Sequence, residues 1–302
     1  MIPEISKAFF LAGPTAVGKT DLALALAEAC NGEIVGMDAF QIYAGLPILT
    51  AKPSPPDLAR VPHHLVGTVP LTESYSVARY LAEVQPVLAD ILARGRLPII
   101  TGGTGLYFRA LTRGLSGAPP SDPELRGQLA QTPLPELVER LRQLDPEAAA
   151  SIDLANPRRV VRALEVILLS GKPLSAFRQE WRQPGPPVHG VFLYREREEL
   201  YGRIRLRTER MFEQGVVDEV AHSLNIGATA RQVLGWEPIV QLLEGTITKA
   251  ECIEAVTQAT RHYAKRQMTW FRKEPALTPL LLTGHPSPLQ TLLESVRHVA
   301  RV

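Results

Sequence analysis

The stretch that decides the fold is Ala8-Phe9-Phe10-Leu11-Ala12-Gly13-Pro14-Thr15-Ala16-Val17-Gly18-Lys19-Thr20. An apolar run delivers the chain into a loop of the form G-x-x-x-x-G-K-[ST], and Leu22, Leu24 and Leu26 then predict a buried helix ending near Asn31-Gly32. That context is what a phosphate-binding loop requires. Glycines let consecutive backbone N–H groups curl into an anion nest, the helix N-terminus adds its dipole, Lys19 neutralises non-bridging oxygens and Thr20 can hold Mg²⁺. Gly13, Pro14, Thr15, Ala16, Val17, Gly18, Lys19 and Thr20 are therefore the expected phosphate-binding residues. The motif leaves open which polyphosphate binds, ATP included, and whether a phosphoryl group moves.

Working outward, Glu33 to Met37 and Leu97 to Ile100 are two further apolar runs, separated by Val77, Leu81, Val84, Leu88 and Ile91 at helical spacing. Strands alternating with helices imply an α/β fold: a P-loop NTPase-like parallel sheet flanked by helices. From Gly114 the texture changes. Prolines 119, 120, 123, 133, 135, 146 and 157 punctuate short helical patterns, and Pro184, Pro186 and Pro187 close the region. The expected organisation is a P-loop core from residues 1–114 and 188–302, with a helical insertion domain at 115–187. Gly190 to Tyr194 should return to the sheet. Two long helices should follow, one from about Glu198 to Leu224 and one opened by the capping box Thr248-Lys249-Ala250-Glu251 and running to about Phe271.

The 302 residues are 45% hydrophobic, enough for a full core. No apolar run reaches the roughly 20 residues of a membrane span, so a cytoplasmic protein is expected. Cys30 and Cys252 lie far apart without metal-ligand spacing, and both read as ordinary buried thiols. The net charge is only +2, yet 7 of the 33 basic residues are lysines and 26 are arginines. Arginine's planar fork grips phosphates and stacks on bases, so the excess fits a phosphate-rich partner; coding bias would raise arginine too.

Asp38 closes the second strand at the edge where ligands of open α/β sheets collect. It can hold Mg²⁺, accept a proton or cap the next turn. Thr101-Gly102-Gly103-Thr104-Gly105 ends the third strand at the same edge, with glycines for close approach and a hydroxyl as donor. His63-His64 lacks a third ligand and reads as positioning or surface groups. Two arginine clusters remain: Arg158, Arg159 and Arg162 in the insertion, and Arg261, Lys265 and Arg272 interleaved with Tyr263, Trp270 and Phe271. Basic residues with aromatics suit single-stranded RNA.

Taken together these residues resemble the tRNA dimethylallyltransferases, or tRNA isopentenyltransferases. The resemblance spans nearly the whole chain. It runs through the P-loop, Asp38 with Gln41-Ile42-Tyr43, Thr50-Ala51-Lys52-Pro53, Pro62-His63-His64-Leu65, Gly102 to Tyr107, Arg159 with Arg162-Ala163-Leu164-Glu165, and Ala264-Lys265-Arg266-Gln267 leading to Thr269-Trp270-Phe271-Arg272. It implies transfer of a dimethylallyl group from dimethylallyl diphosphate to N6 of the adenosine 3′ of the anticodon, in tRNAs reading codons that begin with U. Asp38 would be the general base, with Lys19, Thr20 and Thr104 completing the catalytic set; Arg203 or Arg207 would join the diphosphate site, and Mg²⁺ would sit on Thr20 and Asp38. Asp38, Ala39, Phe40, Gln41, Thr104, Arg126, Arg158, Arg159, Val160, Val161, Arg162, Arg261, Lys265 and Arg272 would contact the anticodon stem-loop of tRNA. A monomer is expected. Ala39 stands where the family usually has Ser, Asn156 where Asp is common and Trp236 where Tyr is usual. The rival reading is a P-loop kinase of small molecules or nucleosides, which leaves the arginine clusters without a role.

Overall fold

A computed structural model of the chain describes residues 2–180, 187–223 and 225–297. Pro184 and Pro186, at the expected hinge, and Leu224, the expected helix end, lie outside them. The chain divides into two compact units, Met1–Thr112 with Pro186–Val302, and Arg113–Gly185.

The first unit is built on a six-stranded sheet: β1 (Phe9–Ala12), β2 (Gly32–Met37), β3 (His63–His64), β4 (Leu97–Gly102), β5 (His189–Tyr194) and β6 (Thr278–Leu281). Their order is β3-β2-β4-β1-β5-β6 and every pairing is parallel. Central strands of such a sheet are covered on both faces and become continuously apolar. Accordingly Phe9 to Ala12 and Ile34 to Met37 are buried without alternation. Their side chains divide between two cores. Phe10, Ala12, Val35, Met37 and Ile100 meet the helices Val77–Ala93 and Gly105–Arg113, while Phe9, Leu11, Ile34, Ile99 and Val191 meet the helices Lys19–Cys30 and Pro288–Val296.

The connection from β1 to β2 passes over β4, whereas the strand after β4 lies on the other side of β1. The strand order therefore reverses at β1, and the crevice for a ligand opens at the carboxyl ends of the strands there. Register fixes its floor, since both Ala12 and Met37 pair with Gly102. Gly13, Asp38 and Gly103 thus leave the sheet side by side.

Several expectations change. The first long helix spans Arg197–Glu213 and stops, because Gly215 adopts φ 91° and a separate helix, Val216–Ala221, begins. β3 and β6 carry too little apolar pattern to be read as strands, and they exist because the sheet edges accept short segments. His64 is then no surface group: its Nε2 meets the buried carboxylate of Glu33 at 2.6 Å, beside Arg94. Of the two thiols, Cys252 is buried and donates to the Pro238 carbonyl at 3.2 Å, whereas Cys30 is only partly covered. The second long helix, Lys249–Phe271, starts at Thr248 with its capping box intact.

The second unit is helical, and its prolines open helices instead of breaking them. Pro123, Pro146 and Pro157 each occupy the first turn, behind Asp122, Asp145 and Asn156 as N-caps. Asn156 accepts from the N–H groups of Arg158 and Arg159, a capping role that Asn fills as well as Asp. Leu129, Leu137, Leu141, Val160, Ala163 and Leu164 form this unit's core.

Phe108 links the sheet to the aromatic layer above it, edge-on to Phe10 at 5.0 Å and to Trp270 at 5.9 Å. Phe108→Ala should cost about 3–5 kcal/mol of unfolding free energy, the range for emptying a buried aromatic site; urea denaturation checks it, and a loss below about 1 kcal/mol would show that the core relaxes into the gap.

Candidate active site

The loop from Gly13 to Gly18 turns its N–H groups inward only if its carbonyls are held outward, and distant side chains hold them. Lys19 Nζ donates to the Gly13 and Pro14 carbonyls at 2.9 and 2.7 Å, Arg203 Nε to Ala16 at 2.8 Å, and Arg195 Nε to Val17 at 2.8 Å. Arg207 donates to the Thr15 hydroxyl at 2.9 Å. Ala16 and Gly18, at φ 62° and 107°, supply the left-handed residues that a backbone nest needs.

Gln267 joins this loop to β4. Its Oε1 accepts the Thr15 N–H at 2.9 Å and its Nε2 donates to the Gly103 carbonyl at 2.9 Å. The approach is so close that a Cβ on Gly103 would meet Nε2 at 2.1 Å, which is why glycine stands there.

Asp38 follows β2. Its Oδ1 accepts from the N–H groups of Phe40 and Gln41 at 2.9 and 3.3 Å, so the carboxylate caps its own turn and is aimed by it. Gln41 Nε2 in turn holds the Thr50 and Ala51 carbonyls, Lys52 Nζ donates to the carbonyls of Tyr43 and Gly45, and the Glu219 carboxylate receives the N–H groups of Ile48 and Leu49. The whole segment from 38 to 52 is strapped from within. The Thr104 hydroxyl accepts the Ala39 N–H at 3.1 Å, so the Ala39 backbone keeps its anchor without a serine side chain.

Lys19, Thr20, Asp38, Phe40, Gln41, Arg203, Arg207, Tyr263 and Gln267 line one cavity of about 790 Å³. Burial pushes the Lys19 ammonium down to about 8, against the pull of Asp38, with Arg207 lowering it further. Burial also lowers Arg207, again opposed by Asp38. Asp38 thus faces two poorly solvated cations, with Asp21 also on the cavity lining, and cations so placed are expected where a polyanion is to be received. The Tyr263 hydroxyl is pushed up by burial and then by Asp38, with Thr104 and Gln267 as its neighbours.

The expected site residues do not all converge. Thr104 is not among the residues lining the cavity, and reaches it through the Ala39 N–H and Tyr263. Val160 is fully buried in the core of the second unit, so its side chain cannot touch RNA; helical periodicity, which points it inward, outweighs its place among arginines. The cluster that looks acid-free in sequence is not so in space, because the buried Glu165 folds against Arg126 at 2.8 Å and Arg162 at 2.5 Å. Arg162 also donates to the Pro119 carbonyl. Arg158 and Arg159 are exposed, and Val161 packs at the margin of that core. Near the C-terminus, Phe271 is buried and Trp270 packs on Phe108 and on Gly105, so neither is an open stacking platform. Arg261 lies over the Tyr201 ring, and Lys265 and Arg272 border a second cavity of about 270 Å³. Arg195, Gln267, Tyr263 and Lys52 stand outside the expected set; the Ala264 to Gln267 and Thr50 to Pro53 stretches signalled two of them and the C-terminal basic and aromatic cluster a third, Tyr263, whereas Arg195 had no signal.

A family model described as IPP transferase matches residues 41–274. A tRNA dimethylallyltransferase of Akkermansia muciniphila is 43% identical over 292 residues, 96% of this chain and 99% of its own length. One from Geobacter sulfurreducens is 44% identical over 90% of this chain and 91% of its own. Among solved structures, the full-length tRNA isopentenylpyrophosphate transferase of Bacillus halodurans matches with TM-score 0.70 and 33% identity, covering 98% of both chains. A eukaryotic dimethylallyltransferase acting on tRNA matches with TM-score 0.77 and 27% identity, over 95% of this chain and 77% of its own.

Two outcomes follow from this geometry. Lys19→Met should abolish pyrophosphate binding in a calorimetric titration yet leave the ligand-free protein at least as stable to urea at neutral pH, since the buried ammonium is a cost to the fold; a large stability loss would contradict it. Arg162→Ala should lower the melting temperature while Arg158→Ala and Arg159→Ala leave it unchanged; equal effects would contradict the Glu165 cluster's structural role.

Proposed function

The chain belongs to the IPP transferase family, and we propose that its cavity carries out prenyl transfer with Asp38 as the base. It transfers a dimethylallyl group to tRNA. The observation that carries the finer reading is the convergence, at one edge of one sheet, of a cation-lined phosphate nest and the Asp38 carboxylate that its own turn orients.

In this reading the nest holds the diphosphate of dimethylallyl diphosphate. Lys19, Arg203, Arg207 and the loop N–H groups take up charge as the bond from C1 of the prenyl group to oxygen breaks, so preorganised donors stabilise the leaving group. The nucleophile is N6 of the adenosine 3′ of the anticodon, whose lone pair is delocalised into the ring. Its attack on C1 expels diphosphate with the bonding electrons, and its proton passes to Asp38. Oδ1 is committed to the turn at Phe40 and Gln41, which leaves Oδ2 for that proton. An adenine reaching this depth must leave its stack, and Phe40, Gln41 and Tyr263 line the space for it.

A hydroxyl and a carboxylate on one wall, Thr20 and Asp38, are the hard oxygen donors that suit Mg²⁺ shared with phosphate oxygens and water. Thr20, with Asp38 acting through water so that Oδ2 stays open to the proton, would hold the ion, which when bound would supply charge neutralisation of the diphosphate. Arg158 and Arg159 from the second unit, with Lys265 and Arg272, are the cations available to the RNA backbone. Among the described residues no helix is long and apolar enough to cross a membrane; a monomeric cytoplasmic enzyme accords with an RNA substrate and with one chain carrying both nest and base. The kinase alternative would place an alcohol near Asp38, and the relatives' names speak against it.

The test incubates the protein with Mg²⁺, labelled dimethylallyl diphosphate and unmodified tRNA. Label should enter the RNA at adenine N6. Asp38→Asn keeps the turn acceptor but not the base, so kcat should fall by about 10²- to 10⁴-fold with tRNA affinity retained. Near-normal kcat would exclude Asp38 as base.

A further inference from the structure

Arg195 lies just past β5 and is mostly buried, its side chain 17% exposed. Family resemblance and sequence pattern assign it nothing. Its guanidinium makes two commitments at once. Nε donates to the Val17 carbonyl at 2.8 Å, and the terminal nitrogen Nη1 pairs with Glu199 Oε1. The other oxygen of Glu199 accepts from the Thr283 hydroxyl, which itself receives the Glu196 N–H at 2.9 Å. Thr283, foremost, and Arg195 hold the Glu199 carboxyl below its ordinary range. A chain therefore runs from Thr283, beyond β6, through Glu199 and Arg195 to the apex of the phosphate nest.

What that chain grips matters. The Val17 carbonyl and the Gly18 N–H belong to one peptide unit, which is planar and trans, so pinning the oxygen on one side fixes the direction of the N–H on the other. A charged donor on the oxygen also polarises the unit and strengthens the N–H as a donor. Arg203 holds the preceding peptide through the Ala16 carbonyl, and that peptide's own N–H, of Val17, turns back to the Pro14 carbonyl at 3.4 Å. The two guanidinium groups flank Gly18, where an added Cβ would lie 3.7 Å from Arg195 Nη2 and 3.9 Å from Arg203 Nη2.

We propose that Arg195, held by Glu199 and Thr283, is a positioning residue that aims and polarises the Gly18 N–H at the diphosphate of the substrate. This rests on the prenyl-transfer reading for its ligand, but the prediction concerns the nest itself. A simple surface ion pair within the helix Arg197–Glu213 and its approach would have no bearing on anion affinity.

The experiment titrates inorganic pyrophosphate into the full chain by calorimetry and measures steady-state transfer for wild type, Arg195→Gln, Arg195→Lys and Thr283→Val. Arg195→Gln should weaken pyrophosphate binding about tenfold, the size of one charge-assisted hydrogen bond. KM for dimethylallyl diphosphate should rise in parallel while KM for tRNA stays unchanged. Arg195→Lys should recover only part, because a single ammonium cannot replace the fork that serves Val17 and Glu199 together. Thr283→Val should show a smaller loss in the same direction. Unchanged pyrophosphate affinity in Arg195→Gln, or an equal loss toward tRNA, overturns the proposal. If Arg195→Gln does not fold, Thr283→Val decides, and unchanged affinity there overturns it. Wild type that binds pyrophosphate but transfers nothing to tRNA would count against the prenyl-transfer reading and leave Arg195's role in the nest standing.

Discussion

The structure depends on one constraint: the six-residue loop between β1 and its helix must turn the N–H groups near its end, Gly18 foremost, toward an anion, and a chain that does so exposes its carbonyls on the other side. Those carbonyls find donors in Lys19, Arg195 and Arg203, while Gln267 and Arg207 fasten Thr15. The fastening side chains come from the start of the loop's own helix, from the end of β5, from the helix Arg197–Glu213 and from the helix Lys249–Phe271. Each of those elements must therefore be packed correctly before the nest exists. This ties anion binding to the integrity of the sheet.

The same constraint separates this site from other uses of the loop. A nest of this kind can serve phosphoryl transfer or hold a leaving group, and the loop alone does not choose. The choice lies in what faces it. Here Asp38 is aimed by its own turn and backed by Thr104 and Tyr263, the segment from 38 to 52 is strapped by Gln41, Lys52 and Glu219, and cations cluster on the phosphate side. In the proposed reading, positive charge is concentrated where diphosphate would depart, and Asp38 stands where a proton would be released. That division suits displacement at carbon.

How much of this was legible in the sequence depends on the range of the interaction. The P-loop, β1, β2, β4 and β5, the capping box at Thr248 and the position of Asp38 all follow from patterns within a few residues. The family resemblance offers Arg203 or Arg207 to the nest as alternatives, and both fasten it. Arg195 could not, since its partner Val17 lies at the far end of the chain and nothing local marks the pairing. Gln267 was visible only as part of a quoted motif. Arginine density is a poorer guide: Arg162 and Arg126 are spent on the buried Glu165, which stands three residues from Arg162 on the same helix and is its counter-charge. Periodicity likewise places Val160 and Phe271 inside, where composition alone would have left them beside RNA.

The central claim is that the nest holds a leaving group and moves no phosphoryl group. The most direct measurement follows the fate of the phosphorus: dimethylallyl diphosphate labelled on its terminal phosphate is incubated with the protein, Mg²⁺ and unmodified tRNA, and the products are separated. Intact inorganic pyrophosphate, released in step with each prenyl group gained by the RNA, is the predicted result. Labelled orthophosphate, or label carried into the RNA, would contradict the account.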